Sequence, residues 1–204
     1  MVRLVAVDDA VLGQLVVAAT TDAAADEVTP PLTAGPGWSV ERVDWLRRYH
    51  RDRRPGLDGP LGEATWAVVG PDGVLGAVRL QRTAQPGSLT TGVWLRRSAR
   101  ATGRGRAAVE AVLEQAAALG AHEVHAETTA RNGAATALLR ALGFQLGEPD
   151  PAGGVRAGLV LPAGRGAGRP SALRPSAPAP AAAEPPVGSG GPPPTAASPR
   201  SRAR

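Results

Sequence analysis

Between the apolar run "LTTGVWL" (89–95) and the helical run "RAAVEAVLEQAAAL" (106–119) lies "RATGRGR", Arg100 to Arg106. No other stretch limits the fold as tightly. A strand that passes through a glycine-containing loop into a long helix leaves the first N–H groups of that helix without intrahelical partners. The helix dipole adds partial positive charge at the same point. Glycine opens backbone conformations closed to other residues and lets an anion approach the main chain. Arg100, Arg104 and Arg106 can add charge outside the loop. Together these features make a phosphate cradle.

Other phosphate readings fit less well. A nucleotide P-loop needs Gly-Lys-Ser/Thr, and every one of the 23 basic residues is arginine. Gly103-x-Gly105-x-x-Ala108, with Glu123 downstream, matches a dinucleotide fingerprint. That fingerprint follows its strand closely, whereas Leu95 is eight residues before Gly103. It also needs further βαβ units, and a hairpin meander precedes this loop instead. The net charge of +5 suggests nucleic acid, but its distribution does not. Residues 1–163 carry 17 arginines and 17 acids, so the excess belongs to residues 164–204. A nucleic-acid-binding domain carries its basic excess within itself, so no specific nucleic-acid partner is expected.

The rest of the chain organises around the loop. "RLVAV" (3–7) reads as a strand, and Asp8 or Asp9 caps a helix to about Thr20 with Val11, Leu12, Leu15 and Val16 on helical spacing. Asp22, Asp26 and Glu27 follow as an acidic stretch, and "PPLTAGPG" (30–37) as a loop. Ser39 caps a helix that ends before Pro55. "ATWAVV" (64–69), "GPDG" and "VLGAVRLQR" (74–82) form a hairpin, and 89–95 adds a third strand. After the helix at 106–119 come a left-handed stop at Gly120, a strand at 123–129, a helix at 133–142 and two short strands. Residues 1–163 therefore read as one α/β domain with a central, mixed, mostly antiparallel sheet and about four helices. From Gly164 the chain is rich in Pro, Ala, Gly and Ser and should be disordered. There is no cysteine, so disulfides and thiolate chemistry are excluded, and with three histidines no metal site is expected. No apolar run approaches the ~18 residues of a membrane span. A cytoplasmic protein without a membrane partner is expected, as a monomer or a homodimer.

Arg100 to Gly105 is R-x-x-G-x-G, and "GVWLRRSARATGRGRAAVEAVLEQAAALGAHEVHAETTARNGAATALLRALGF" sets that motif between a strand and a helix, then a strand, Asn132 and a helix ending in "LGF". This order resembles the core of the GNAT N-acetyltransferase superfamily, in the branch similar to ribosomal-protein N-terminal acetyltransferases (RimJ/RimL-like). The resemblance is strong over 89–148, looser over 1–88, and absent from the tail. It implies a GNAT fold and transfer of an acetyl group from acetyl-CoA to a primary amine, on a protein N-terminus or a small molecule. It implies that backbone N–H groups of Ala101, Thr102, Gly103, Arg104, Gly105 and Arg106 hold the coenzyme pyrophosphate. Val93, Trp94 and Leu95 would pair with the pantetheine arm, and an N–H near Leu95 would face the thioester oxygen. Asn132 would hydrogen-bond the arm, and it also suits a helix N-cap.

The proton acceptor is less defined. Glu123, His125 and Glu127 share one strand face. Glu127 is the first candidate to take the amine proton and His125 the second, against the plainer reading of a solvated face. Many members of the superfamily carry a tyrosine seven residues after the asparagine; here Leu139 occupies that position. A non-catalytic domain that binds coenzyme A as a sensor or scaffold is the alternative reading.

Overall fold

The computed structural model describes residues 1–33 and 35–162. The stretch read as a disordered tail lies outside the described residues. Four strands form an antiparallel meander: β1 (Arg3–Ala6), β2 (Glu63–Gly70), β3 (Gly73–Arg82) and β4 (Ser88–Leu95). β5 (Glu123–Thr129) runs parallel to β4, β7 (Gly154–Val160) runs antiparallel to β5, and β6 (Gln145–Leu146) closes the edge. The seven-stranded order is β1-β2-β3-β4-β5-β7-β6.

Helices cover both faces. On one side α1 (Asp9–Asp22) and α3 (Val40–Asp52) bury Leu12, Leu15, Val16 and Leu46 against Ala67, Val74 and Ala77. On the other, α4 (Arg104–Ala118) and α5 (Gly133–Ala141) bury Ala108, Val112, Ala116 and Leu139 against Val68, Leu80 and Val124. The period-2 pleat sends Ala64 and Val68 to one cluster and Ala67 to the other. Asp8 Oδ1 accepts Val11 N–H at 2.8 Å, and Ser39 Oγ accepts Arg42 N–H at 3.3 Å, so both predicted caps form.

Two elements depart from the sequence expectation. A one-turn helix, α2 (Ala25–Val28), follows α1; a single turn is too short to show a period. α4 begins at Arg104, not at 106, because the low helix propensity of Gly105 hides its first turn.

Two features set the geometry of β4. Its pairing with β5 runs from Ser88↔Glu123 to Thr91↔Ala126 and stops there. From Gly92 to Leu95 it keeps β3 on one edge, and the other edge is open. Gly76 on β3 lies opposite Leu95 in close approach. A Cβ at Gly76 would collide with the Trp94 carbonyl oxygen and stand 2.8 Å from Leu95 Cα.

Candidate active site

The open end of β4 leads through a 3-10 turn (Arg97–Ala99) to the start of α4. Ala101 takes a left-handed φ of 56°, unusual for a residue with a Cβ, and Gly103 caps α4 at φ 78°. No side chain caps this helix. The backbone N–H groups from Ala101 through Arg106 find no hydrogen-bond partner among the described residues, and the next, Ala107, donates to Gly103 O. A run of unpaired donors at the positive end of a four-turn helix suits an anion with several oxygens. The side chains leave it open. Thr102 Oγ1 donates to Ala99 O, Arg104 pairs with Asp72, and Arg106 pairs with Glu110.

The β4 edge continues the cradle. Arg96 N–H donates to Leu75 O on β3. Successive residues of a strand turn their N–H and C=O to alternate edges. Leu95 and Val93 therefore direct theirs to the open side. There the Arg100 guanidinium donates to Leu95 O at 2.9 and 2.8 Å. A cavity of about 530 Å³ runs along this edge, lined by Val93, Trp94, Leu95, Ala101, Gly105 and Asn132, with Arg100 beside them. Asn132 Oδ1 caps α5 by accepting Ala135 N–H at 3.1 Å. Its amide nitrogen has no partner among the described residues, so capping and cavity lining coexist.

A second cavity of about 440 Å³ lies between α3 and the sheet. It meets the first at Glu27, Val93 and Trp94, which line both. Glu27 is fixed there by a bidentate pair with Arg100, at 2.6 and 3.0 Å. That hydrogen bond first, and the guanidinium charge with it, hold the Glu27 carboxyl below its ordinary range. Deeper in, Glu63 is 3% exposed and accepts from Tyr49 Oη, Arg53 Nε and Arg79 Nη1. Burial first, and then the Glu63 carboxylate, raise the Tyr49 phenol, which stays a donor. Arg53 also lies over the Tyr49 ring, 3.7 Å from its centroid. Burial pushes His50 down to about 4, so it is neutral near pH 7. Its Nδ1 meets Thr65 Oγ1 at 3.0 Å, and its Nε2 has no partner among the described residues.

The sequence candidates divide between these places. Those proposed for the coenzyme gather along the first cavity and at the start of α4. Glu127 and His125 line neither cavity. Glu127 is largely exposed and pairs with Arg156 at 3.4 Å, and His125 pairs with Glu123 at 3.3 Å. Leu139 is buried in the core, while its neighbour Leu138 reaches the first cavity. The group Tyr49, His50, Arg53, Glu63 and Arg79 was not anticipated. A signal existed: Thr65, Arg79 and Gln81 fall on the strand parity of buried Ala67 and Ala77, so polar side chains continue an inward face. Among the described residues no group of three or more His, Cys, Asp or Glu is placed to hold a metal ion, and no helix is long and apolar enough to cross a membrane.

Comparison with known proteins bears on this arrangement. No curated protein matches the chain in sequence. Solved structures do match in fold. The GNAT domain of PAT from S. lividans is 18% identical, with a TM-score of 0.59 over 78% of this chain and 89% of that one. RimL, a ribosomal α-N-protein acetyltransferase solved with coenzyme A, is 15% identical, with a TM-score of 0.61 over 79% and 95%. The PaiA N-acetyltransferase of Thermoplasma acidophilum, also solved with coenzyme A, is 12% identical, with a TM-score of 0.55 over 79% and 99%. At these identities the likeness is one of fold. The family of the acetyltransferase (GNAT) domain matches residues 3–145, most of the described chain, and the chain belongs to that family.

Proposed function

We propose that this protein transfers an acetyl group from acetyl-CoA to the primary amine of an acceptor, by direct attack. The observation that carries the reading is the run of unpaired N–H groups from Ala101 to Arg106 beside the open edge of β4. The N–H groups suit the pyrophosphate, and Val93 and Leu95 suit the amide groups of the pantetheine arm. The Asn132 amide nitrogen has a donor left for the same arm. The Leu95 N–H, aimed at the open edge, suits the oxygen that becomes negative as the amine attacks. The acceptor reaches the thioester from the second cavity, through the junction at Glu27, Val93 and Trp94.

The chemistry balances without a metal or a covalent enzyme intermediate. The ammonium gives one proton to solvent, and its nitrogen forms a bond to the thioester carbon. The carbon–sulfur bond breaks, and the second proton of the attacking nitrogen neutralises the departing thiolate. The products are an acetamide and coenzyme A. Glu27, the carboxylate at the junction, holds the ammonium in place before it gives up that proton. Its pairing with Arg100 makes it a weak base, so it acts by charge and position. Glu127 and His125, set away from both cavities, have no part in this reading.

The test follows free thiol release from acetyl-CoA in the presence of primary amines. The protein has no cysteine to obscure the signal. Amine-dependent release that disappears in Gly105→Glu supports the reading. Saturable coenzyme A binding with no release for any amine tested would replace the enzyme by a coenzyme-binding domain.

A further inference from the structure

The second cavity has a carboxylate, paired with Arg100, at one end and an excess of guanidinium over carboxylate at the other. At the junction stands Glu27. At the far end are Arg53 and Arg79 against the single carboxylate of Glu63. Glu63 is buried and already accepts three hydrogen bonds, so it offers a ligand no free face, whereas Glu27, although paired with Arg100, keeps 42% of its side chain exposed. The arginines are not spent. Arg53 uses Nε on Glu63 and Nη1 on Tyr49 O. Arg79 uses only Nη1, on Glu63 and Gln81. Arg53 Nη2, together with Arg79 Nε and Nη2, has no partner among the described residues. His50, neutral, adds no charge, and its unpaired Nε2 is buried.

The strand register sets the span. Trp94, at the junction, is paired with Ala77; Arg79 is two residues further along β3, and Gln81, opposite Glu63, four. At the rise of an antiparallel strand the backbone of Arg79 is ~7 Å along β3 from the residue paired with Trp94. We infer that the acceptor is an amino-carboxylate: a primary amine, held at Glu27, whose carboxylate is bound further along the same cavity by the free guanidinium donors of Arg79 and Arg53. A diamine would set its second cation against two arginines. A neutral amine would leave their charge without a counter-charge from the ligand. This inference rests on the transferase reading above, and its test is built to fail separately.

Three probes of equal length separate the cases: 6-aminohexanoate, 6-aminohexanamide and 1,6-diaminohexane, which end in an anion, a neutral amide and a cation. Thiol release from acetyl-CoA is measured for each with the full chain, beside Arg79→Gln and Arg79→Lys. The carboxylate should give the highest kcat/KM. Arg79→Gln should raise its KM about tenfold, the size expected for losing one charge-assisted contact, with kcat little changed. Arg79→Lys should recover part of that loss. A loss larger for the carboxylate than for the amide separates recognition of the anion from a general disturbance of the cavity, and thermal melting of both variants reads the fold independently. A preference for the diamine or the amide overturns the inference, as does an equal effect of Arg79→Gln on all three. If none is acetylated, the transferase reading fails for these acceptors, and calorimetry on the coenzyme-A-bound protein decides the inference alone. Tighter binding of 6-aminohexanoate than of the other two sustains it, and equal or absent binding ends it.

Discussion

Substitution of Gly105 separates the shape of the cradle from its charge. An ideal Cβ at this position would stand 3.6 Å from Leu95 Cδ1 and 3.8 Å from Leu138 Cδ2, which is ordinary contact. Gly105→Ala therefore fits. It keeps the N–H, replaces a poor helix former in the first turn of α4, and should raise stability by up to about 1 kcal/mol. Coenzyme A affinity should stay within about threefold, since a change of that size is under 1 kcal/mol. Gly105→Glu keeps the same Cβ and adds a carboxylate at the mouth of the cradle. If a bound diphosphate carries two negative charges ~6 Å away, the repulsion is about 1.4 kcal/mol at the permittivity of water and about 5.5 kcal/mol at an effective value of 20. A middle figure of ~3 kcal/mol weakens binding roughly a hundredfold. Calorimetric titration of the full chain with coenzyme A measures both. The glutamate penalty should shrink at high salt, as screening requires. Equal loss in alanine and glutamate variants would mean that bulk matters and anion recognition does not. No loss in either would mean that the diphosphate binds elsewhere, and the cradle argument would be refuted.

Three further outcomes follow from local structure. Ala101→Gly removes a Cβ from a left-handed residue; after the entropy that glycine adds to the unfolded chain, urea denaturation should show a gain of about 0.5–1 kcal/mol. Gly76→Ala forces β3 and β4 apart where the Trp94 carbonyl leaves no room, and the melting temperature should report a loss of about 1–3 kcal/mol. His50 is held near 4 when folded, below its ordinary 6.5. The unfolded chain therefore binds the extra proton first, and stability present above pH 6.5 is lost as pH falls toward 4, by roughly 3 kcal/mol in all. Urea curves at pH 7 and pH 5 should show part of this loss in the wild type and a smaller one in His50→Gln; equal losses would show that another group titrates.

Much of the architecture could be read from local pattern. The strands and long helices appear within a few residues of where periodicity and capping residues put them, because each signal acts over one or two turns. Asp8, Ser39 and Asn132 cap the helices their positions announce. The cradle was legible for the same reason: its donors are consecutive residues, so their chemistry is contiguous in sequence. Even the acidic stretch at Asp22, Asp26 and Glu27 stood out. Its members then went three ways, however: Asp22 to Ser98, Asp26 to buried Arg42, and Glu27 to Arg100.

That division marks the boundary. The order of elements, the helix start with its run of unpaired N–H groups and the charge balance of residues 1–163 are readable along the chain, and the sequence alone determined them. The tertiary structure decided which side chains share a cavity. Tyr49, Glu63 and Arg79 come from a helix and two strands, and they meet only because α3 packs over the face that β2 and β3 present. Glu127 lies on a strand beside the open edge of β4, but pleat and register turn it to Arg156 and leave the junction to Glu27. Spacing along a chain sets hydrogen bonds a few residues away. Contacts across tens of residues depend on which faces pack, and packing chooses among many pairings that a linear pattern leaves equal.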